Sequence, residues 1–493
     1  MLNKTFLLLL IALIVCLSAQ QTNGAKFHNR QLFVSKFAKR AAKGHNFLAI
    51  LKTAQTSIRK QALQGLKSLP STIKTELLKE ADHQLKSAAY PRLTATLFMG
   101  YFRTGSRDPY TSLYDEHLRR VATLTVGHLL EKESSSGSGK KLFIFKIRFL
   151  LIKFLILLAH HQHKYLDEIV NGLWSLMEQS TWCMPHHLVH QGTNDHLPLP
   201  DRQAIDLNAG EVAKLVAWVR LLLHKDLDSV SKVVVKRIDA ELRRRIFDPY
   251  LSRRGFSWEG FANHFVNNWN IWCNGNVLKA AVFTLKGDEP YFTSVLNRSL
   301  YSADFFLDDY GEDGGCEEGP AYWREAGGRL LDYLDSLERL FPKEAETYFS
   351  EQKLLKAIGE YAYKMRITGN WFVNFADSVP VLTYPPELLL KYGDLFKDEV
   401  MRKYAAFMWD AIKRGQNSKS HFVAMLGGGD LNGFFSFVQV YSRLESLKPE
   451  APELDTVLLP DIQVMAVRSK KTTEVQEKSR FFLAAKAGNN CKD

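Results

Sequence analysis

The sequence predicts a mainly α-helical protein, a helical array or toroid, that turns to short β-strands near its C-terminus. Three observations predict it. From Gln31 to about Leu444 apolar residues recur at helical spacing. Gly, Asn or Pro turns separate these segments, with no strand-like alternation between them. Beyond Leu444 the chain becomes proline-punctuated, from Pro449 to Pro460, and its apolar runs shorten. With 493 residues, 46% hydrophobic and 24% charged, there is material for one very large domain or two ordinary ones, and a disordered chain is excluded.

The N-terminus opens with Lys4, runs apolar from Phe6 to Leu17, and then turns small and polar at Ser18, Ala19, Gln20 and Gln21. Such a run is short for a spanning helix, so residues 1–19 read as a signal peptide, with an uncleaved anchor as the alternative. A secreted or periplasmic protein without a stable membrane span is the expectation. Cys16 leaves with the signal; Cys183, Cys273, Cys316 and Cys491 remain, and their separations specify no pairing.

Residues 25–445 form the helical region. Within it, residues 133–161 are atypical: Ser134 to Gly139 is low-complexity, and Lys141 to Leu158 draws only on Lys, Leu, Phe, Ile and Arg. Lys146, Arg148 and Lys153 make a transmembrane reading costly there, so a lineage-specific insertion, or translated non-coding sequence, between two helices of one hairpin is expected. From Leu207 to Leu223, Val212, Leu215, Val216, Val219 and Leu222 fall on one helical face. After Pro320 a stripe of Leu330, Leu334, Leu337 and Phe341 ends at Pro342. Residues 446–493 begin a β-region, with strands at Ile462 to Val467 and Phe481 to Ala487 joined by polar Ser469 to Glu477. Two strands bury no face alone, so either more sheet belongs to them or they lie on the helices. Their free edges predict poor solubility.

The excess of 65 Lys and Arg over 53 Asp and Glu, a net charge of +12, attracts polyanions. Charge alone does not separate acidic polysaccharide from nucleic acid; an exported protein favours the polysaccharide.

Two clusters have the residue types of a catalytic site. In Asp313-Gly314-Gly315-Cys316-Glu317-Glu318-Gly319-Pro320-Ala321-Tyr322 a glycine turn leads to a proline that starts a helix, which places Tyr322 in the first turn. There the helix dipole and a cation such as Arg324 favour negative charge, and the phenol becomes a proton donor or acceptor nearer neutral pH. The same spacing allows a packed aromatic beside a solvated Glu317-Glu318 turn. The second cluster is Asn267-Asn268-Trp269-Asn270, with Trp272, Cys273, Asn274 and Asn276. Amides are poor helix formers, and with two indoles they suit a cleft that binds a sugar carboxylate and stacks on its ring; an Asn-rich cap under a loop is the alternative.

His186 and His187 follow Thr181-Trp182-Cys183-Met184-Pro185, with His190 and His196 close by. No acidic or Cys set accompanies them at ligand spacing, so substrate contact or a surface role is expected, and no metal or other cofactor. Asn374 and Asp377, in Trp371-Phe372-Val373-Asn374-Phe375-Ala376-Asp377, are candidates for the same cleft; helix capping is the other reading of Asp377.

Taken in order, Thr181-Trp182…Pro185-His186-His187, Asn267-Asn268-Trp269-Asn270…Cys273-Asn274, Asp313-Gly314-Gly315…Glu318-Gly319…Tyr322 and Phe372-Val373-Asn374-Phe375-Ala376-Asp377 resemble the heparinase II/III-like polysaccharide lyases. The resemblance covers about Gln31 to Asn490, apart from the atypical stretch. It implies an incomplete (α/α) toroid followed by the first strands of a truncated β-sandwich, and β-elimination on a uronic-acid-containing polysaccharide. Tyr322 then matches the tyrosine that protonates the leaving glycosidic oxygen, and in some members also takes the C5 proton. Asn268 matches the amide that neutralises the uronate carboxylate. Asn267, Trp269, Asn270, His187, Glu318, Arg324, Asn374 and Asp377 are the candidate substrate-binding residues. Where relatives often have histidine after the matched asparagine, this chain has Trp269. Where they have a histidine-rich segment supplying a catalytic histidine and metal ligands, it has Cys491-Lys492-Asp493, which predicts a missing group and, as one outcome, an inactive protein. Two alternatives stand beside the lyase: a non-catalytic acidic-glycan-binding protein, and a glycoside hydrolase on a helical toroid using two carboxylates from Asp313, Glu317, Glu318 and Asp377.

Overall fold

Helices with one apolar face must bury it against neighbours, and helices apolar all round must lie inside. Both kinds occur in this computed structural model, which describes residues 28–42, 46–87, 89–137, 164–192, 195–253, 255–262, 266–286, 289–415, 418–454, 456–468 and 481–487. The expected signal peptide, residues 138–161 of the atypical stretch and the Cys491-Lys492-Asp493 end lie outside them.

The main helices are α1 (Phe47–Ser68), α2 (Ser71–Lys86), α3 (Asp108–Gly137), α4 (Leu166–Glu178), α5 (Leu207–Val230), α6 (Lys232–Leu242), α7 (Asn268–Thr284), α8 (Glu289–Asp308), α9 (Gly327–Leu340), α10 (Lys353–Lys364), α11 (Pro386–Leu395), α12 (Glu399–Gly415) and α13 (Leu431–Ser446). The protein is mainly α, as expected. Neighbours in sequence pack in pairs: α3 with α4, α5 with α6, α7 with α8, α11 with α12. Among the described residues no helix is long and apolar enough to cross a membrane.

Two expectations about the helices need correction. Ser134 to Gly139 read as a low-complexity piece outside the helices, yet α3, packed on α2 and α4, continues through Gly137. α5 was expected to bury one face, but Ala213, Lys214, Ala217, Arg220 and Leu221 are buried as well. Helices α3, α6, α7 and α13 all contact it, so it is an interior helix whose cations need partners. Lys214 Nζ lies 2.8 Å from Glu211, and Arg220 donates to Asp239 at 2.7 Å.

Charge runs further through this interior. Glu211 also meets Arg329 of α9 at 3.1 Å and accepts from the Trp272 indole at 2.6 Å. Lys279 of α7 lies 3.7 Å from Asp332 and 3.6 Å from Asp335, and donates to Asn432 at 3.0 Å. These cations outweigh burial and hold Glu211, Asp332 and Asp335 below the usual carboxylate range. Their folded-state pKa values lie under the unfolded values of about 4, so their stabilisation is complete above that pH and is lost as pH falls below it. The expected result is a melting temperature that drops on acidification below about pH 4. Calorimetry across pH checks this, and a flat acid limb contradicts it.

The C-terminal strands are β3 (Thr456–Leu459), β4 (Val464–Arg468) and β5 (Phe482–Lys486), after a small earlier hairpin of β1 (Arg366–Thr368) and β2 (Trp371–Phe372). They form one antiparallel sheet in the order β3-β4-β5, with Val457 opposite Ala466 and Val464 opposite Lys486. Strand β3 and the early hairpin were not expected; β3 is a four-residue run beside Pro460, and β2 has two residues. Of the two expectations for the strands, lying on the helices is the one observed. Val457, Leu459, Ile462, Val464 and Ala466 are buried in the same core as the helices. Arg468 donates to Lys364 O at 2.8 Å, at the end of α10.

Asp313 ties the sheet to the turn that precedes the tyrosine. Its carboxylate accepts from Asp461 N at 2.8 Å and from Gly315 N at 2.8 Å. Between them Gly314 has φ +71°, and a Cβ there would lie 2.3 Å from the carbonyl carbon of Ala357. That contact is backbone and cannot swing away. Gly314→Ala is therefore expected to cost about 2–4 kcal/mol from left-handed strain and overpacking together. Urea unfolding measures it; a loss within experimental error contradicts the packing described here.

Candidate functional site

The tyrosine turn is built from glycine and proline. Gly319 has φ +95°, and a Cβ there would sit 2.3 Å from Phe375 O, so the residue must be glycine for the 371–382 loop to close over it. Pro320 then starts a short 3-10 helix, Pro320–Glu325, with its φ already set. Three bonds hold it in place: Tyr384 Oη donates to Pro320 O at 2.7 Å, Ala321 N donates to Ser378 Oγ at 3.0 Å, and the buried Trp323 donates to Ile358 O at 2.7 Å. With Trp323 inward, Tyr322 is half-buried and Arg324 exposed.

The expected acidification of Tyr322 is overturned. Burial raises its phenol above the ordinary value, and Glu318, Asp377 and Glu325 raise it further. Arg324 approaches Glu325 at 3.6 Å instead. The carboxylate charges near this hydroxyl disfavour loss of its proton.

One residue before Gly319, Glu318 accepts a hydrogen bond from Asn268 Nδ2 at 2.7 Å. Asn268 opens α7 and is buried, with 8% of its surface exposed. Its neighbours in the asparagine cluster serve the helix. Asn267 is the N-cap, its side chain accepting from Trp269 N at 3.1 Å. Asn270 is fully buried and donates to Trp258 O at 3.0 Å and Ser302 O at 2.9 Å, so substrate contact by Asn270 is corrected to an internal bridge. Asn274 joins that bridge through Ser302 Oγ at 2.8 Å.

Trp269, half-buried beside Asn268, meets two imidazoles. The ring of His187 lies 4.5 Å from its indole and that of His190 5.3 Å, centroid to centroid. His187 Nδ1 is 2.8 Å from Asp206 Oδ2. Asp206 is wholly buried and also accepts from Met184 N at 3.0 Å and Ala209 N at 2.7 Å, the latter as N-cap of α5. A carboxylate beside Nδ1 orients the ring and favours the tautomer that carries a proton on that nitrogen. Burial, helped by the charge of His187, pushes His186 down to about 4, and burial lowers His190 as well. His196 stacks on Phe102 with centroids 4.5 Å apart. Among the described residues no group of three or more His, Cys, Asp or Glu is placed to hold a metal ion.

Asn374 and Asp377 are exposed on the loop after β2. No helix starts at Asp377, so the capping reading is corrected; its carboxylate acts on the field at Tyr322. Asp313 is engaged by the backbone N–H groups of Asp461 and Gly315.

The structure thus gathers Tyr322, Glu318 and Asn268, joined through Trp269 to His187. It sets Asn270 apart and gives Asn267 a capping role. Asp206 was not foreseen. Its place before the helical run that starts at Leu207 is a capping signal, but nothing local announces a bond to His187 nineteen residues earlier. No family model matches this chain, and no curated protein matches it.

Proposed function

We propose that this protein is a secreted polysaccharide lyase-like enzyme, an incomplete (α/α) toroid that cleaves uronic-acid-containing polysaccharide by β-elimination. The observation that carries this reading is the Asn268–Glu318 hydrogen bond of 2.7 Å, linked by the Gly319 turn to Tyr322 and by Trp269 to His187. Elimination needs three things at one sugar: relief of the uronate charge, a base for the C5 proton, and an acid for the departing oxygen.

Each has a candidate. Asn268 is the residue assigned to the uronate carboxylate; an amide N–H donated there stabilises the negative charge that develops as C5 loses its proton. His187 Nε2 suits the base, because Asp206 fixes the tautomer and stabilises the imidazolium that results. Electrons from the C5–H bond form the C4–C5 double bond, the C4–O bond breaks, and the departing oxygen takes the proton of Tyr322. Acidic neighbours keep that proton on the phenol until the oxygen needs it. This division differs from the members in which the tyrosine serves both roles.

Acidic polysaccharide is the partner, and the net charge of +12 favours its approach. The test is ultraviolet absorbance of the unsaturated uronate during incubation of the full chain with a panel of uronate polymers. A new reducing end without that absorbance indicates a hydrolase and overturns the lyase reading.

A further inference from the structure

The row of rings that starts at Trp269 does not end at His187. His187 meets His186 with centroids 4.1 Å apart, and His186 meets Tyr101 at 5.7 Å. Tyr101 belongs to a short helix, Gly100–Thr104, that packs on the 3-10 helix carrying the histidines, Pro185–Gln191. Its neighbour Phe102 lies 5.3 Å from it and carries the stacked ring of His196. His186, Tyr101 and Phe102 are half-buried and His196 is exposed, so the row reaches solvent at its outer end. No step above uses that end.

Two arginines edge it. Gly105, at φ +74°, ends the short helix in the left-handed conformation, with Arg103 before the turn and Arg107 after it. Both are exposed, and neither guanidinium has a hydrogen-bond or ion-pair partner among the described residues. Arg253 differs, since it donates to Gln203 O at 2.6 Å and to His190 O at 2.8 Å. Burial, then the charges of His187 and Arg107, hold His186 down at about 4, so at neutral pH this ring is uncharged beside a free cation. Uncharged rings edged by free guanidinium groups suit a ligand that is apolar on one face and anionic at its edge. A uronic or sulfated sugar is built that way: its C–H face lies on an aromatic ring, and its carboxylate or sulfate fits the guanidinium fork.

We propose that this ledge is a further sugar subsite, in which the Tyr101 ring lies against a unit of the chain other than the one held at Tyr322, while Arg103 and Arg107 take the carboxylate or sulfate of that unit. The proposal rests on the glycan reading of the site. It makes Tyr101, Arg103 and Arg107 residues that select the glycan and take no part in bond breaking.

The test is calorimetric binding of alginate and heparan sulfate oligosaccharides to the full chain carrying Tyr322→Phe, so that turnover is absent. Adding Arg103→Gln with Arg107→Gln is expected to weaken binding about tenfold, the loss of a charge-assisted hydrogen bond, with a level melting temperature because both side chains are exposed and unpaired. Weakening with heparan sulfate alone identifies sulfate as the group taken, and weakening with both polymers identifies the carboxylate. Tyr101→Leu, tested separately, is expected to weaken binding about fivefold through loss of the ring contact. The control for long-range attraction is Lys52→Gln with Lys60→Gln, two exposed cations of α1, a helix that meets the far end of α7 where Gln55 donates to Val282 O at 2.8 Å. An equal loss in that control shows attraction without a site and overturns the subsite. Unchanged affinity in the arginine variant also overturns it and leaves the lyase reading standing. If the parent binds neither oligosaccharide, the glycan reading falls and the subsite with it.

Discussion

On the proposed elimination chemistry, Tyr322→Phe is expected to abolish the ultraviolet signal while leaving oligosaccharide affinity nearly unchanged. The expected fall in rate is on the order of 10²- to 10⁴-fold, the usual contribution of one positioned proton donor. Glu318 is engaged with Asn268 and does not take over the donor's place. Phenylalanine retains the ring and the 3-10 helix, which is held by Tyr384, Ser378 and Trp323 and not by the hydroxyl. The pH profile carries a second expectation. Because burial and three carboxylates raise the phenol, the rate should not decline through loss of this acid until above about pH 10. Steady-state rates and profiles of the two proteins check both. A rate unchanged by the substitution removes Tyr322 from the chemistry, and binding without turnover in the parent favours the non-catalytic glycan-binding alternative.

What was legible in the sequence is what depends on short range. Gly319-Pro320 encodes the turn that presents Tyr322, and the stripe of α9 follows from apolar spacing. The field at Tyr322 was not legible, because Glu318, Asp377 and Glu325 act through space, and the cation that sequence proximity offered turns to Glu325 instead. Among the asparagines, spacing marked a cluster but could not sort it: the helix N-terminus assigns Asn267 to the cap, sends Asn270 inward and turns Asn268 to Glu318. The strand β3 was hidden for a related reason. Four residues between prolines show no period, and only the core formed with the helices fixes their conformation.

Asp206→Asn is expected to lower the elimination rate on the order of 10²- to 10⁴-fold while costing only about 1–2 kcal/mol of stability. The two effects separate because Asp206 has two tasks. As N-cap and acceptor for Met184 N it serves the backbone, and an asparagine oxygen takes over part of that work. Toward His187 it serves as an anion, which asparagine is not. With a neutral amide at Nδ1 the imidazole loses the partner that sets its tautomer and stabilises its charged form. The double substitution with His187→Ala then tests the coupling. Residues acting as one unit are far from additive, so the second change should cost little beyond the first. If the double variant instead loses the sum of both effects, Asp206 and His187 act separately. If Asp206→Asn keeps the rate and loses only stability, the aspartate is a cap and the base must be sought elsewhere, because Nε2 of an unoriented imidazole has no more claim to the C5 proton than the neighbouring rings of His186 and His190.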